Sequence, residues 1–197
     1  MARADYTKPD HFARRAKAEG YEARSVFKLE EIDRKAGLLK PGLSVLDLGA
    51  SPGSWMSYAA RRVGERGLVA GVDIKPLSRG LRPNERFIER DVNELGGDEL
   101  AAAAPAFDLV LSDMMPNTIG HKASDHLRSM ALAERALELA ELWLKPGGHF
   151  LVKVFQGAEF ESFRAQLRER FSKVKIIKPK SSRSSSREIY LLGLSRK

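Results

Sequence analysis

The stretch Val45-Leu46-Asp47-Leu48-Gly49-Ala50-Ser51-Pro52-Gly53-Ser54-Trp55 decides how the rest of the chain is interpreted. It begins as an apolar run rich in branched residues, typical of a parallel strand buried on both faces, and then breaks into a turn bounded by two glycines. The glycines let the backbone approach a ligand, and the helix that follows offers free N–H groups that favour an anionic group such as a carboxylate. The stretch therefore predicts a strand, a ligand-binding turn and an amphipathic helix.

Three further predicted strands end at an acidic residue: Leu68–Asp73, Arg86–Asp91 and Phe107–Asp113. Because ligands of open parallel sheets bind outside the carboxyl ends of the strands, these acids and the glycine turn should surround one crevice. Asp73 follows Gly53 by 20 residues, the usual distance of an acid that binds a ribose hydroxyl. The turn lacks the G-x-G-x-x-G pattern of a dinucleotide site. A nucleoside with a carboxylate and no phosphate fits better, and S-adenosylmethionine is the common one.

The order of the predicted elements indicates a single α/β domain over residues 1–197. Strands and helices alternate up to a fifth strand, His149–Phe155, and two strand-like segments follow, Lys173–Pro179 and Glu188–Leu194. This order predicts a Rossmann-like, seven-stranded, mostly parallel sheet with an antiparallel edge pair and helices on both faces, the architecture of class I, nucleoside-dependent methyltransferases. Residues 1–27 carry basic and aromatic side chains and are predicted to form an N-terminal extension, a short helix followed by an extended stretch.

The segment between the fourth and fifth strands is predicted to hold a loop, Met114–Asp125, and then a long helix. Ser124 or Asp125 can cap this helix, which should run to Leu144 before Lys145-Pro146-Gly147-Gly148 ends it. The loop has no periodicity and contains proline and glycine, so it should lie over the crevice.

Composition narrows the possible functions. The absence of cysteine excludes disulfides, thiolate metal sites and a cysteine nucleophile, and the four histidines show no metal-ligand spacing, so no metal is expected. No apolar stretch has the length of a membrane span and the N-terminus lacks an apolar signal core, so a soluble cytoplasmic protein is expected. The net charge is +8, and residues 173–197 hold eight lysines and arginines against one acid. Such a concentrated basic segment indicates a polyanionic partner, usually nucleic acid.

Lys153 is the sharpest local anomaly, because it lies between Val152 and Val154 on a predicted central strand. Desolvation disfavours its charged form unless carboxylates lie beside it. Asp113, at a strand end, and Glu188, the single acid of the basic segment, are the expected partners.

Five motifs follow one another along the chain: Tyr21–Leu29, Asp47–Trp55, Ser112–Asn117 with Gly120 and Asp125-His126, Val152–Phe155, and Lys178–Tyr190. In this order and over nearly the whole chain they resemble the FtsJ/RrmJ family of RNA ribose 2′-O-methyltransferases. The signature of that family is a Lys-Asp-Lys-Glu tetrad, which falls here on Lys28, Asp113, Lys153 and Glu188. The resemblance therefore implies that these four residues are catalytic.

The resemblance also implies a reaction, a cofactor and a partner. A methyl group would pass from S-adenosylmethionine to the ribose 2′-hydroxyl of a uridine in 23S ribosomal RNA, in the A-loop of the assembled 50S subunit, and the enzyme would be a monomer. The expected cofactor-binding residues are Gly49, Gly53, Trp55, Asp73, Asp91 and Asp113. The expected RNA-binding residues are Arg24, Lys178, Lys180 and Arg183.

Several alternatives stay open at this stage. Lys153 could be a neutral base for the hydroxyl proton, or a charged group that orients the hydroxyl and stabilises the developing alkoxide. A tRNA ribose methyltransferase of the same family is the main rival, and a non-catalytic RNA-binding protein would also explain the basic segment. A base methyltransferase is disfavoured, because carbon-5 chemistry needs a cysteine and the Asp113-Met-Met-Pro116 sequence departs from the pattern of exocyclic-amine enzymes.

Overall fold

The computed structural model describes residues 11–116, 120–183 and 186–197; the first ten residues of the predicted extension and part of the predicted loop lie outside the described residues. The helices of this part are α1 His11–Ala18, α2 Val26–Ala36, α3 Ser54–Val63, α4 Gly97–Ala103, α5 Lys122–Trp143 and α6 Phe160–Arg170. The strands are β1 Ser44–Leu48, β2 Leu68–Asp73, β3 Glu85–Glu89, β4 Phe107–Ser112, β5 Leu144–Phe155, β6 Phe171–Ile177 and β7 Glu188–Arg196.

The described strands form one seven-stranded sheet in the order β3-β2-β1-β4-β5-β7-β6. Strands β1 to β5 pair in parallel, and β7 runs antiparallel to both of its neighbours, β5 and β6. The predicted Rossmann-like α/β fold is thus confirmed, with β7 as the antiparallel member of the predicted edge pair. The strand order reverses between β1 and β4, and ligands of such sheets bind at this switch point.

Two apolar cores lie on the two faces of the sheet, since successive residues of a strand point to opposite sides. Leu46 and Leu48 of β1 pack with α4, α5 and α6, whereas Val45 packs with α2 and α3. These strand residues are fully buried, which explains why β1 is almost continuously apolar. The helices on both faces hold the strand ends at a common edge, where the site lies.

Helix α1 packs against the domain through a small cluster that joins Ala16 to Val26 and Phe27 of α2. The Arg15 guanidinium lies 4.2 Å from the centre of the Phe27 ring, which adds a cation–π contact. The predicted short helix of the N-terminal extension is confirmed. The predicted extended stretch is wrong, because residues 19–25 form turns that bring α1 back onto α2.

Three predicted boundaries need correction. Helix α5 begins at Lys122, because the His121 side chain accepts a hydrogen bond from the Ser124 backbone N–H and so provides the cap. Strand β5 begins at Leu144 rather than at His149, since Leu144 pairs with Phe107 of β4, and the Pro-Gly-Gly sequence lies within an irregular part of this strand. Strand β3 ends at Glu89, which leaves Asp91 two residues beyond it.

None of the described helices combines the length and apolarity needed to cross a membrane.

Candidate active site

The turn after β1 depends on its two glycines. Gly49 has φ +80°, and a Cβ there would lie 3.0 Å from the Met114 backbone, so glycine alone lets the ends of β1 and β4 meet this closely. Gly53 has φ +116° and precedes the first residue of α3. The predicted strand, turn and helix are confirmed, and the turn stands at the carboxyl edge of the sheet.

A cavity of about 710 Å³ opens at this edge, and the strand ends that were predicted to converge do so around it. Its walls include the four tetrad residues and four of the expected cofactor-binding residues, with Asp113 in both sets: Lys28, Gly49, Asp73, Asp91, Asp113, Lys153 and Glu188. Residues distant in sequence thus line one space, because parallel strands present their carboxyl ends together.

Two acidic residues at the mouth of the cavity are held by backbone N–H groups. The Asp73 carboxylate accepts from the N–H of Ser51 and from that of Lys75, both at 2.9 Å. Asp91 accepts from the backbone N–H of Asn93, also at 2.9 Å. A carboxylate has about four acceptor positions, so Asp73 retains capacity for the hydroxyls of a ribose.

Trp55 and Gly53 have different surroundings from the other expected cofactor-binding residues. Trp55 is buried behind the turn, where its indole N–H donates to the Ser25 carbonyl at 2.9 Å and its ring lies 5.9 Å from that of Tyr190. Gly53 contacts Arg79, whose guanidinium donates to the Gly53 carbonyl at 3.3 Å. Neither residue is among the described residues that line the cavity. Trp55 therefore packs behind the turn, whereas Gly53 belongs to the turn itself and contacts Arg79.

The four tetrad residues form two ion pairs side by side. Lys153 is 5% exposed, and its Nζ donates to the Asp113 carbonyl at 2.6 Å and lies 3.2 Å from Asp113 Oδ1. Lys28 Nζ lies 2.6 Å from Glu188 Oε1. The expected contact of Lys153 with Asp113 is therefore confirmed. Glu188, the other expected partner, forms its ion pair with Lys28, and it interacts with Lys153 electrostatically.

The charge of Glu188 is set by a balance of burial and neighbouring cations. Burial raises the pKa of Glu188, but the positive charge of Lys28, its hydrogen bond to the carboxylate and the charge of Lys153 together lower that pKa below its usual value. The carboxylate form is thereby favoured. The tetrad thus gathers two lysine and two acidic side chains in a nearly buried setting.

Tyr190 is a site residue that the sequence reasoning missed. Its hydroxyl donates to Asp113 Oδ1 at 2.7 Å, and its side chain is fully buried. Burial, followed by the charges of Asp113 and Glu188, raises the pKa of Tyr190 well above its ordinary value, so the hydroxyl stays a donor. A signal was present in the sequence, since Glu188 and Tyr190 are two residues apart on one strand and share a face.

Asp47 is a second residue that the sequence reasoning did not single out. Its side chain is fully buried in β1, beneath the glycine turn. Burial, followed by the charges of Asp113 and Asp73, raises the pKa of Asp47 well above the usual aspartate value. The signal was the same as for Lys153, an ionisable residue inside an apolar strand.

The basic segment folds back onto α2 beside the tetrad. The Arg24 guanidinium donates to the Ser181 carbonyl at 2.6 Å, and the Glu31 carboxylate accepts from the Lys180 backbone N–H at 2.8 Å. Lys178 Nζ donates to the Glu188 carbonyl at 2.6 Å and to that of Ser186. Arg24 and Arg183 are near enough that the charge of Arg183 contributes, after burial, to lowering the pKa of Arg24. Positive charge is thus gathered at the Lys28 end of the cavity.

The model of the FtsJ-like methyltransferase family matches residues 21–196. The chain belongs to the FtsJ-like methyltransferase family. It is 47% identical over 195 residues to ribosomal RNA large subunit methyltransferase E of Bdellovibrio bacteriovorus, covering 98% of this chain and 99% of that protein. The protein of the same name from Desulfosudis oleivorans is 47% identical over 189 residues, which cover 96% and 91% of the two chains.

A solved structure agrees with this assignment. A protein described as a ribosomal RNA methyltransferase from Plasmodium falciparum superposes with a TM-score of 0.80 at 30% identity, covering 89% of this chain and 98% of that one. The chain is therefore an enzyme of the FtsJ-like methyltransferase family, and the cavity at its sheet edge is the candidate site for methyl transfer. No group of three or more potential metal ligands occurs among the described residues.

Proposed function

We propose that this enzyme transfers a methyl group from S-adenosylmethionine to the ribose 2′-hydroxyl of a uridine in 23S ribosomal RNA. The target lies in the A-loop of the assembled 50S subunit, and the enzyme acts as a monomer in the cytoplasm. The main observation behind the proposal is that two ion pairs, Lys153–Asp113 and Lys28–Glu188, lie in the wall of a nucleoside-sized cavity. The names of the relatives support a ribosomal substrate over tRNA.

The residues at the sheet edge fit S-adenosylmethionine. The start of α3 and the glycine turn would receive its methionine carboxylate, Asp73 its ribose hydroxyls, and Asp91 its adenine amino group. Asp73 and Asp91 line the cavity, and their carboxylates can accept hydrogen bonds from the hydroxyl and amino groups of a nucleoside. When bound, S-adenosylmethionine supplies an electrophilic methyl group on a positively charged sulfur.

Lys153 is proposed to take the proton of the ribose hydroxyl. Two of its three N–H positions face Asp113 oxygens, and Tyr190 fixes Asp113 in turn, so one position of the nitrogen remains for the substrate. In the neutral amine this position is a lone pair that would accept the hydroxyl proton. S-adenosylmethionine would supply the methyl group to the 2′-oxygen, and Lys153 would hold the ribose hydroxyl and accept the proton that this oxygen loses.

RNA is proposed to reach this centre over the surface formed by Arg24, Lys180 and Arg183, which we call the RNA face. Arg24 and Arg183 gather positive charge beside Lys28, and backbone contacts to Glu31 fix the loop that carries Lys180. Phosphates of the substrate strand would neutralise these cations. Lys178 supports this surface from within, since its ammonium holds two carbonyl groups of the same loop.

The test is incubation of the purified enzyme with methyl-labelled S-adenosylmethionine and large subunits from cells that lack this enzyme, with tRNA in parallel. We expect label in 23S RNA on the 2′-oxygen of one uridine, identified by nuclease digestion and mass spectrometry. Label in tRNA alone would favour the tRNA enzyme, and label on a base would reject ribose methylation. Absence of methyl transfer to any RNA would favour the alternative of a non-catalytic RNA-binding protein.

A further inference from the structure

A second cavity, of about 400 Å³, adjoins the active site at the carboxyl edge of the sheet. Arg187, in its wall, directly precedes Glu188 of the tetrad, and Leu127, also in its wall, directly precedes Arg128, which lines the first cavity. The remaining wall comes from the first turns of α5 and from the loop between β5 and α6, including His126, Gly157, Ala158 and Glu159. Both cavities thus take wall residues from the first half of α5 and from around the start of β7, which places both at the carboxyl edge of the sheet.

The polar part of this second cavity contains a buried imidazole. His126 is 6% exposed, its Nε2 pairs with the Glu159 carboxylate, and its Nδ1 has no hydrogen-bond partner among the residues that the structure describes. A Cβ on Gly157 would lie 2.4 Å from the His126 ring, so glycine is needed for the imidazole to pack there. Buried polar atoms generally have a partner, so an unpaired one beside a cavity indicates a ligand or an ordered water.

The rest of the wall combines an apolar surface with hydrogen-bonding groups of both kinds. Leu127 is 54% exposed although it is a large apolar residue. The Arg187 guanidinium donates to the Gln156 carbonyl at 2.8 Å, and an arginine has five N–H donors. Glu159 Oε2 is buried against His126, but the Glu159 side chain as a whole is 44% exposed, so its other carboxylate oxygen can accept a hydrogen bond from a ligand. A free phosphate is disfavoured by that carboxylate.

We infer that this second cavity binds the nucleobase of the nucleotide next to the methylated one. The inference rests on the proposed function, because only an RNA substrate brings a neighbouring base to this place. Proteins that read single-stranded RNA splay the bases outward, stack them on side chains and bond to their edges. The apolar Leu127 supplies the stacking surface, Glu159 accepts from an N–H of the base, and Arg187 donates to a carbonyl. Guanine, uracil and cytosine carry such a carbonyl, and adenine does not.

The test measures kcat/KM on large subunits in which the bases flanking the target are replaced one at a time. Leu127→Ala and Glu159→Gln are compared with the parent and with Leu142→Ala, a matched control at the far end of the same helix, where Leu142 is 72% exposed. For the parent, adenine at one flanking position should lower kcat/KM about tenfold or more, and Leu127→Ala should lower it by a similar factor on the native sequence. Glu159→Gln should weaken the base preference. Leu142→Ala should match the parent, and cofactor affinity should be unchanged throughout.

The outcomes separate this inference from the proposed function. If the parent methylates large subunits, but Leu127→Ala and Glu159→Gln keep its kcat/KM and its base preference, the cavity is not a base site and the inference fails alone. A benzophenone amino acid at position 127 gives a second measurement, with position 142 as control. A crosslink from position 127 to a nucleotide flanking the methylated uridine supports the inference. Crosslinks only to distant nucleotides overturn it. Absence of methylation by the parent rejects the proposed function first.

Discussion

At the scale of single residues, the site solves the problem of holding two lysines and two carboxylates in a nearly buried place. Each lysine contacts one carboxylate directly, Lys153 with Asp113 and Lys28 with Glu188. Removing one partner of a buried pair costs more than the pair contributes, because the other charge is left uncompensated. Tyr190 adds a neutral donor to Asp113, which fixes the carboxylate without adding charge. The position of Lys153 is thereby set by the Asp113 carbonyl, by the Asp113 carboxylate and by the Tyr190 hydroxyl that holds this carboxylate.

Replacement of Lys153 tests the catalytic role at this scale. Lys153→Ala should lower single-turnover methyl transfer about a hundredfold or more at saturating cofactor, because a positioned base typically contributes that much. Lys153→Arg should fail as well, since a guanidinium stays protonated and its planar fork cannot replace a compact amine. Cofactor affinity by calorimetry should be nearly unchanged. Lys145→Ala is the matched control, because Lys145 lies on the same strand and pairs with Asp108. Transfer by Lys153→Ala within about tenfold of the parent would reject the assignment.

At the scale of elements, the ends of β1, β4 and β5 bring the chemistry together, and β1 contains a buried acid among its apolar residues. The close approach of Gly49 to Met114 joins β1 to β4, and Asp47 lies below that contact. Because the pKa of Asp47 is raised in the folded chain, the folded state keeps its proton at pH values where the unfolded chain has lost it. Asp47 therefore lowers the stability of the fold as pH rises above the ordinary aspartate pKa.

Asp47→Asn should remove this pH dependence. The variant should be more stable than the parent near neutral pH, and the difference should shrink as pH falls, by up to about 1.4 kcal/mol per pH unit between the folded and unfolded pKa values. Thermal unfolding of the ligand-free proteins at several pH values measures it. Asp108→Asn is the control, since Asp108 accepts hydrogen bonds from Lys145 and from the Ser44 backbone N–H, and its loss should destabilise the fold. A stability difference for Asp47→Asn that does not change with pH would contradict the prediction.

The same scale shows how much the sequence could predict. The mostly parallel sheet follows from the alternating strand and helix patterns, and the acids at the strand ends converge because parallel strands end at one edge. Element ends were less accurate. His121 caps α5 although it is a rare capping residue, and Leu144 begins β5 because a strand distant in sequence offers it a partner. Long-range pairing of this kind leaves no local pattern.

The candidate site was predicted in a different way from the fold. The tetrad as a set came from the family resemblance, while the residues themselves indicated that Lys153 needed carboxylates and that Asp113 and Glu188 were its partners. Tyr190 was missed because its contact with Asp113 depends on the register of β7 against β5, in which Tyr190 lies opposite Lys153. The second cavity was missed because its walls come from three distant parts of the chain. These are the first turns of α5, the loop before α6 and the residue before β7, which meet only in the folded protein.

At the scale of the whole molecule, the positive charge is unevenly placed with respect to the sheet. The RNA face, Arg24, Lys180 and Arg183, lies at the carboxyl edge beside the tetrad. Other cations of the C-terminal part lie near the opposite edge, among them Arg168, Lys173 and Lys197, because β6 begins there and β7 ends there. The two sets have equal formal charge, so a comparison between them separates a local RNA contact from a general effect of net charge.

Neutralising the RNA face should reduce the salt dependence of RNA binding. Each phosphate contact to single-stranded RNA contributes about 0.7 to the slope of log affinity against log salt concentration, so Arg24→Ala, Lys180→Ala and Arg183→Ala together should lower the slope by up to about 2. Lys178 is left intact, because its ammonium holds the backbone carbonyl of Glu188 and its loss would disturb the tetrad as well as RNA binding. Fluorescence anisotropy with a labelled fragment of 23S RNA gives the slope. The control variant, with Arg168, Lys173 and Lys197 replaced by alanine, should keep the parent's slope. An equal reduction in both variants would show that net charge, and not the RNA face, governs binding.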